Sequence, residues 1–392
     1  MKDRYYTWLL VLAIVLVAAT LRSPITSVSP MIPIIRDELE VSNVSIGLVN
    51  TIPLILLAVF FTIRSKYFLK SLVLKKTLLF GMAILSIAVF LRAVGGIITL
   101  LISTVGVGVA IALGNILIPA LIKTSFPLRV GIMTAMYTLS MNVIGALASG
   151  IVVPIANASD TWRLPLQIWS ILPLLAGAVL FLLFIKTRNI TSIKHNKKTG
   201  SNALLRSPVA WAVTLFMGTQ SLITYSVYTW LPDIAIDKGF EANEAGWLIA
   251  LFQIGLIPTN LIVPILAARF TNQRILGCTS GLFLLIGVLG LIVSETALIY
   301  PSILFIGVGA GGAFTLTMLL FILRTTTINE SSQLSSMAQS IGFLVAATGP
   351  IFLGYLEEFT QGWLIPLLVL TLSAVGCTIS GYVAGEAKKV NT

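Results

Sequence analysis

Arg22 is a cation in a place where its neighbours offer it no partner. It falls inside an apolar run that opens near Tyr6, about seventeen residues in and so roughly 25 Å along a helix rising 1.5 Å per residue. A guanidinium in hydrocarbon is unfavourable by a few kcal/mol even on insertion scales, so such a residue marks a solute path or an ion pair. The fourteen acids, however, are all expected in loops or at helix ends, which leaves no intramembrane carboxylate to pair with it. Three readings remain open. Arg22 caps carbonyls freed where Pro24 and Pro30 loosen the helix; it snorkels to the surface; or it faces a cavity and binds an anionic or strongly polar solute. The last is favoured.

Uncharged polar residues fall at mid-span depth elsewhere: Asn115, Tyr137, Asn142, Gln220, Tyr225, Gln253 and Gln339. Each either lines a cavity or bonds a neighbouring helix, a contribution averaging well below about 1 kcal/mol in membranes. Asn142, Tyr225 and Gln253 are the most central in depth. Acid–base and metal chemistry has little to work with. The single histidine, His195, lies among Lys194, Lys197 and Lys198, and Cys278 and Cys377 each stand alone in apolar segments. The glycines from Gly307 to Gly312 imitate a phosphate loop but lack the following Lys-Ser/Thr and lie inside an apolar run. No enzyme, cofactor or metal is expected. A coupling ion is left unassigned, because the usual acidic or histidine relay is missing; an outer acid such as Asp233 and the solute's own proton are the alternatives.

The elements that must position these residues follow from composition. Of 392 residues, 57% are hydrophobic and 10% charged, against about 25% charged in a soluble domain. Apolar stretches long enough to cross about 30 Å of hydrocarbon recur throughout. They predict helices over 6–30, 44–63, 77–95, 97–122, 130–156 and 165–186, then 208–235, 243–268, 274–294, 296–323, 334–356 and 363–385. The fold class is all-α membrane protein with twelve transmembrane helices in two six-helix halves, 1–187 and 208–392, joined by a polar cytoplasmic loop at 188–207. The first run follows Lys2 and Arg4 but no cleavage motif follows it, so it reads as a retained helix.

Charge fixes the expected orientation. With the amino terminus inside, inner loops collect twenty Lys and Arg residues and outer loops four, namely Arg36, Arg92, Arg163 and Lys238. Both termini are then cytoplasmic, in the cell membrane, and the net charge of +11 needs no nucleic acid to explain it. Trp230 and Trp247 sit where an interfacial aromatic belt is expected. The halves echo one another: Met133 precedes Gly145 by twelve residues and Met337 precedes Gly349 by twelve. Duplicated halves with a solute site between them are a transporter architecture.

Several strings resemble the major facilitator superfamily and, within it, the cyanate and nitroimidazole transporter (CynX/NimT) family. They are Leu21-Arg22-Ser23-Pro24 with Thr26-Ser27-Val28, Gly114-Asn115 through Lys123, Phe126-Pro127, and Met133 to Tyr137. The second half contributes Leu251-Phe252-Gln253, Leu323-Arg324-Thr325, Leu334 to Ser340 and Gly349-Pro350. The resemblance implies alternating-access transport of small anions or small polar heteroaromatics by a monomer, with Arg22 in the family's helix 1 arginine position and Thr26 beside it. Two departures stand out. The loop after helix 2, Arg64 to Lys70, lacks the superfamily's usual Gly and Asp, and helix 5 lacks the Gly-Pro pair of drug antiporters. A multidrug exporter of the same fold is the alternative.

Overall fold

The computed structural model describes residues 2–64, 74–186, 203–293 and 298–390. Residues 65–70 of the loop after helix 2, His195 and most of the 188–207 connection lie outside the described residues.

The chain is helical throughout what is described. In order it forms α1 (Lys2–Thr26), a 3-10 turn (Ser29–Met31), α2 (Ile32–Glu38), α3 (Asn43–Arg64), α4 (Leu74–Leu91), α5 (Ile97–Ser125), α6 (Val130–Ser159), α7 (Arg163–Ile168) and α8 (Ile171–Lys186). After the connection come α9 (Ala203–Arg206), α10 (Pro208–Asp237), α11 (Ala242–Arg269), α12 (Arg274–Val293), α13 (Ile299–Leu323), α14 (Ile328–Thr360) and α15 (Leu364–Ala384). The bent run α1–turn–α2 makes one crossing and α7–α8 another, which gives twelve. The first crossing continues to Glu38 rather than stopping near residue 30, because Pro30 and Pro33 each fall at the start of a helical segment, where a missing N–H is harmless.

Polarity is inverted relative to a soluble protein. Trp8, Phe80, Ile98, Ile102, Ile275 and Leu372 lie exposed around the perimeter, while Thr20, Ser23, Asn50, Thr104, Ser149, Gln220, Thr229 and Gln253 are buried. That surface suits a hydrocarbon solvent. Eleven helical segments among the described residues are long and apolar enough to cross a membrane; α10 falls outside that set because it carries Gln220, Ser221, Thr224, Tyr225, Ser226, Tyr228 and Thr229. Almost all of them are buried, so α10 is an interior helix whose polar groups face other helices rather than lipid.

Glycines set how the helices meet, and they do so in matched pairs. A Cβ on Gly145 of α6 would collide with Arg22 of α1, and a Cβ on Gly349 of α14 would collide with Ser226 of α10. The two glycines singled out in the sequence therefore do the same work at equivalent crossings. The helices before and after the connection join through α3 against α14 and α6 against α11, also an equivalent exchange.

Two expectations are corrected here. Trp230 is fully buried, not part of an interfacial belt: its indole N–H donates to the Pro350 carbonyl at 2.8 Å and its ring tilts against Trp363. Trp247, by contrast, is half exposed. Arg92 is not in a solvated outer loop but 1% exposed. Its Nη1 donates to the Pro24 carbonyl at 2.6 Å and its Nε to Thr104 Oγ1 at 3.1 Å. The last carbonyls of a helix have no partner within it. Arg92 takes Pro24's, and the Ser29 hydroxyl takes Ile25's at 3.1 Å. The capping role considered for Arg22 thus belongs to Arg92, whose side chain satisfies the break and fixes the turn carrying Arg22.

At the end of the bundle bearing the termini, Arg324 donates to the Ala384 and Gly385 carbonyls at 3.0 and 2.9 Å and to Gln273. Glu386 pairs there with Lys388 and Arg274, each at 3.0 Å, and the hydrogen bond from Lys388 holds its carboxyl below the usual range.

Replacing Arg92 by Met keeps the bulk but strips the cap from Pro24. The expected loss is about 2 kcal/mol, the usual consequence of orphaning a buried polar group, read as a lower unfolding temperature in detergent; an unchanged temperature would contradict the capping role.

Candidate functional site

Near the middle of the bundle, α1, α6, α10 and α11 converge where Gly145 leaves room. A Cβ built on Gly145 would lie 2.4 Å from Gln253 Oε1 and 2.7 Å from Arg22 Cγ, so the arginine stem and the glutamine amide occupy the space a side chain would fill. Arg22 is partly exposed, and its Nε is buried with no hydrogen-bond partner. No carboxylate pairs with it among the described residues. What the guanidinium does have is an aromatic face, the Tyr228 ring, 5.2 Å from Cζ to centroid. A cation over a ring gains about 0.5–2 kcal/mol, far less than an ion pair would supply in hydrocarbon.

Around this cation the polar groups divide sharply. Gln253 is fully buried and neither its Nε2 nor its Oε1 has a partner. The Tyr228 hydroxyl is buried and equally alone. Tyr225 stands edge-on to Tyr228 at 6.0 Å, and Phe252 edge-on to Tyr228 at 5.0 Å, so aromatic rings wall the site. Tyr137 donates to Asn115 Oδ1 at 3.1 Å, and Asn115 in turn donates to the Ile111 carbonyl at 2.9 Å. Asn142 is buried in α6, one turn from Gly145. Thr26 is buried and donates to the Arg22 carbonyl at 3.3 Å.

Gln220 and Gln339 do not join the cluster through their amides. Gln220 donates to Ser221 Oγ at 2.6 Å and to the Met217 carbonyl at 3.2 Å, and Gln339 donates to Ser335 Oγ at 2.7 Å, all within their own helices. Tyr228 was absent from the sequence reading. The signal for it was available: it lies three residues from Tyr225, and so on the same face of one helix.

One end of this site is shut. Arg36 Nη1 reaches Asp233 Oδ1 at 2.7 Å and Asn43 Oδ1 at 2.8 Å, joining α2 and α3 to α10. Asn43 also donates to Glu357 and Glu358 of α14. Nearer the site, Asn50 Nδ2 meets Thr229 Oγ1 at 3.0 Å, and the Thr51 hydroxyl donates to the Ala347 carbonyl at 3.1 Å. The Gly246 position presses on the Ser149 carbonyl, and Trp247 lies over Gly150. Toward the opposite end α3 and α14 stay joined through Thr62 and Ser340 at 2.9 Å, but Pro119, Lys123 and Thr134 are exposed. A groove of about 470 Å³ between α3 and α14 is lined by Val44, Thr51, Ile55, Leu344, Thr348, Phe352 and Tyr355 and is almost wholly apolar, without the converging polar groups of a usual small-molecule site.

A twelve-helix bundle with a buried polar cluster between two equivalent sets of helices has the architecture of a polytopic membrane transporter. The Major Facilitator Superfamily model matches residues 10–350, and the chain belongs to that family. It is 36% identical over 383 residues to the uncharacterized transporter YycB of Bacillus subtilis (strain 168), covering 97% of this chain and 94% of that one. It is 30% identical over 381 residues to the 2-nitroimidazole transporter of Escherichia coli (strain K12), covering 97% and 96%. Its identity to the cyanate transport protein CynX of the same strain is 24% over 371 residues, covering 94% and 95%. The fold also matches the crystal structure of D-xylose-proton symporter with a TM-score of 0.74 at 15% identity, covering 95% and 97%.

The closed end makes a prediction. Asp233→Asn weakens the pair with Arg36 and should raise labelling of an Asn50→Cys reporter by a membrane-impermeant maleimide several-fold. Labelling no faster than in the parent would show that the pair does not hold this end shut.

Proposed function

We propose that this chain is a secondary carrier that moves a small anionic or small polar organic solute, of the cyanate or nitroimidazole kind, across the cell membrane by alternating access. The moving parts are the six-helix halves 1–187 and 208–392, linked by 188–207, with both termini cytoplasmic and the chain acting as a monomer. The observation that carries the reading is the Arg22 guanidinium, held in the span without a carboxylate partner among the described residues. An uncompensated intramembrane cation is best explained by a counter-charge or polar acceptor that comes and goes. Asn115, Tyr137, Asn142, Tyr225 and Gln253 supply the surrounding polar contacts, and Thr26 braces the Arg22 turn. The twenty-to-four distribution of basic residues supports the orientation, with the Arg36 end outside.

The exporter reading rests on the aromatic wall of Tyr225, Tyr228, Phe252 and Phe343, which suits flat lipophilic compounds. A fixed guanidinium beside that wall repels the cations such exporters favour.

In proteoliposomes, Arg22→Ala and Arg22→Lys should each lower uptake of radiolabelled nitroimidazole or cyanate at least about tenfold, since Lys lacks the planar fork. Both variants should remain monodisperse and helical. Uptake retained in both would defeat the reading, and uptake confined to large lipophilic cations would favour the exporter.

A further inference from the structure

The Gln253 amide is the most exceptional polar group in the molecule. It is wholly inaccessible in α11, with donor and acceptor both unmatched. Buried side-chain amides are almost always bonded, and each orphaned group costs about 1–3 kcal/mol, so one left open needs an explanation. The group shares the Gly145 notch with Arg22: a Cβ on that glycine would lie 2.4 Å from Gln253 Oε1 and 2.7 Å from Arg22 Cγ, so a solute drawn to Arg22 arrives beside the amide.

The chemistry of the three unpartnered groups narrows the ligand. Arg22 Nε–H only donates, the Tyr228 hydroxyl does either, and Gln253 offers one donor and one acceptor side by side. An anion made only of acceptors, such as cyanate or nitrate, satisfies Arg22 and the amide N–H but gives the amide carbonyl nothing. A solute that carries an N–H next to its acceptor satisfies both halves of the amide. Its flat face would then lie within the walls formed by Tyr228 and Phe252, whose rings stand 79° apart. We infer that Gln253 selects, among the solutes of the proposed carrier, small planar compounds bearing an acceptor beside a ring or amide N–H, at the expense of simple inorganic anions. This rests on Arg22 being the solute's anchor.

The test uses purified full-length protein and calorimetric binding of four probes: 2-nitroimidazole, its 1-methyl derivative, cyanate and nitrate. The free N–H compound should bind at least about tenfold more tightly than its methylated counterpart or either anion, the discrimination one orphaned acceptor supplies. Gln253→Met, close in volume, should bring the two azoles to the same affinity, the N–H compound losing more because it alone uses the amide oxygen as well as the amide N–H. That second result separates a lost hydrogen bond from a methyl group that merely does not fit. Equal binding of the two azoles, or discrimination that persists in Gln253→Met, overturns the assignment to Gln253 while an Arg22-dependent affinity leaves the carrier reading intact. Binding of the anions alone overturns it likewise. Loss of every affinity dependence on Arg22 removes the carrier reading itself.

Discussion

The structure is organised around a charge, that of Arg22, which no carboxylate among the described residues neutralises. Arg36, Arg163 and Arg274 each pair with an acid, and Arg92 and Arg324 are spent on backbone carbonyls. Arg22 alone among these arginines has only a tyrosine face and a buried, idle Nε. Such an arrangement is tolerable because other residues carry the structural duties an arginine in that place would otherwise absorb. Arg92 caps the broken end of α1, Gly145 makes room for the stem, and the Tyr228 quadrupole offsets part of the desolvation.

Polar contacts join the two sets of helices around that charge. The closed end is held by one ion pair and a handful of hydrogen bonds between the two sets of helices, each contributing on the order of 1 kcal/mol once exchange with water is counted. Glycines at Gly47 and Gly246 bring backbone against backbone there, so contact depends on close approach of small residues rather than on interlocked side chains. Within each set, by contrast, the helices bury long aliphatic side chains such as Leu21, Ile111, Val213 and Leu316. Between the sets α3 also packs closely on α14 and α6 on α11, with the Phe61 and Phe343 rings stacked across the seam at 5.9 Å, so polar links and long helix faces join the two together.

The spans were legible because crossing a bilayer demands a long apolar run, and the predicted ends agree with the helices to within about four residues except where Pro30 and Pro33 continue the first crossing and where α14 starts at Ile328, six residues before the expected 334, on a polar first turn capped by Thr327 and Glu330. Arg22 was legible for the same reason, as a charge inside such a run. Arg92 was not, because a cation at the edge of a run reads as solvated unless one knows that the Pro24 carbonyl is within reach. Trp230 misled in the same way: depth along a helix says nothing of which side faces lipid. The glutamines hold a subtler lesson. Gln220 has Ser221 and Thr224 beside it on its own helix, and Gln339 has Ser335 one turn back, so both find local partners. Gln253 has only Ile249, Ala250, Leu256 and Ile257 at the corresponding spacings, and its amide is therefore left for something outside the helix.

The most direct test is a crystal structure with a brominated 2-nitroimidazole bound, located by the anomalous signal of bromine. The account predicts a single strong peak at the Tyr228 face, with the ring's polar atoms within hydrogen-bond distance, about 3 Å, of the Arg22 guanidinium and the Gln253 amide. A peak in the apolar groove between α3 and α14, or an Arg22 found bonded to a protein carboxylate or carbonyl, would contradict it.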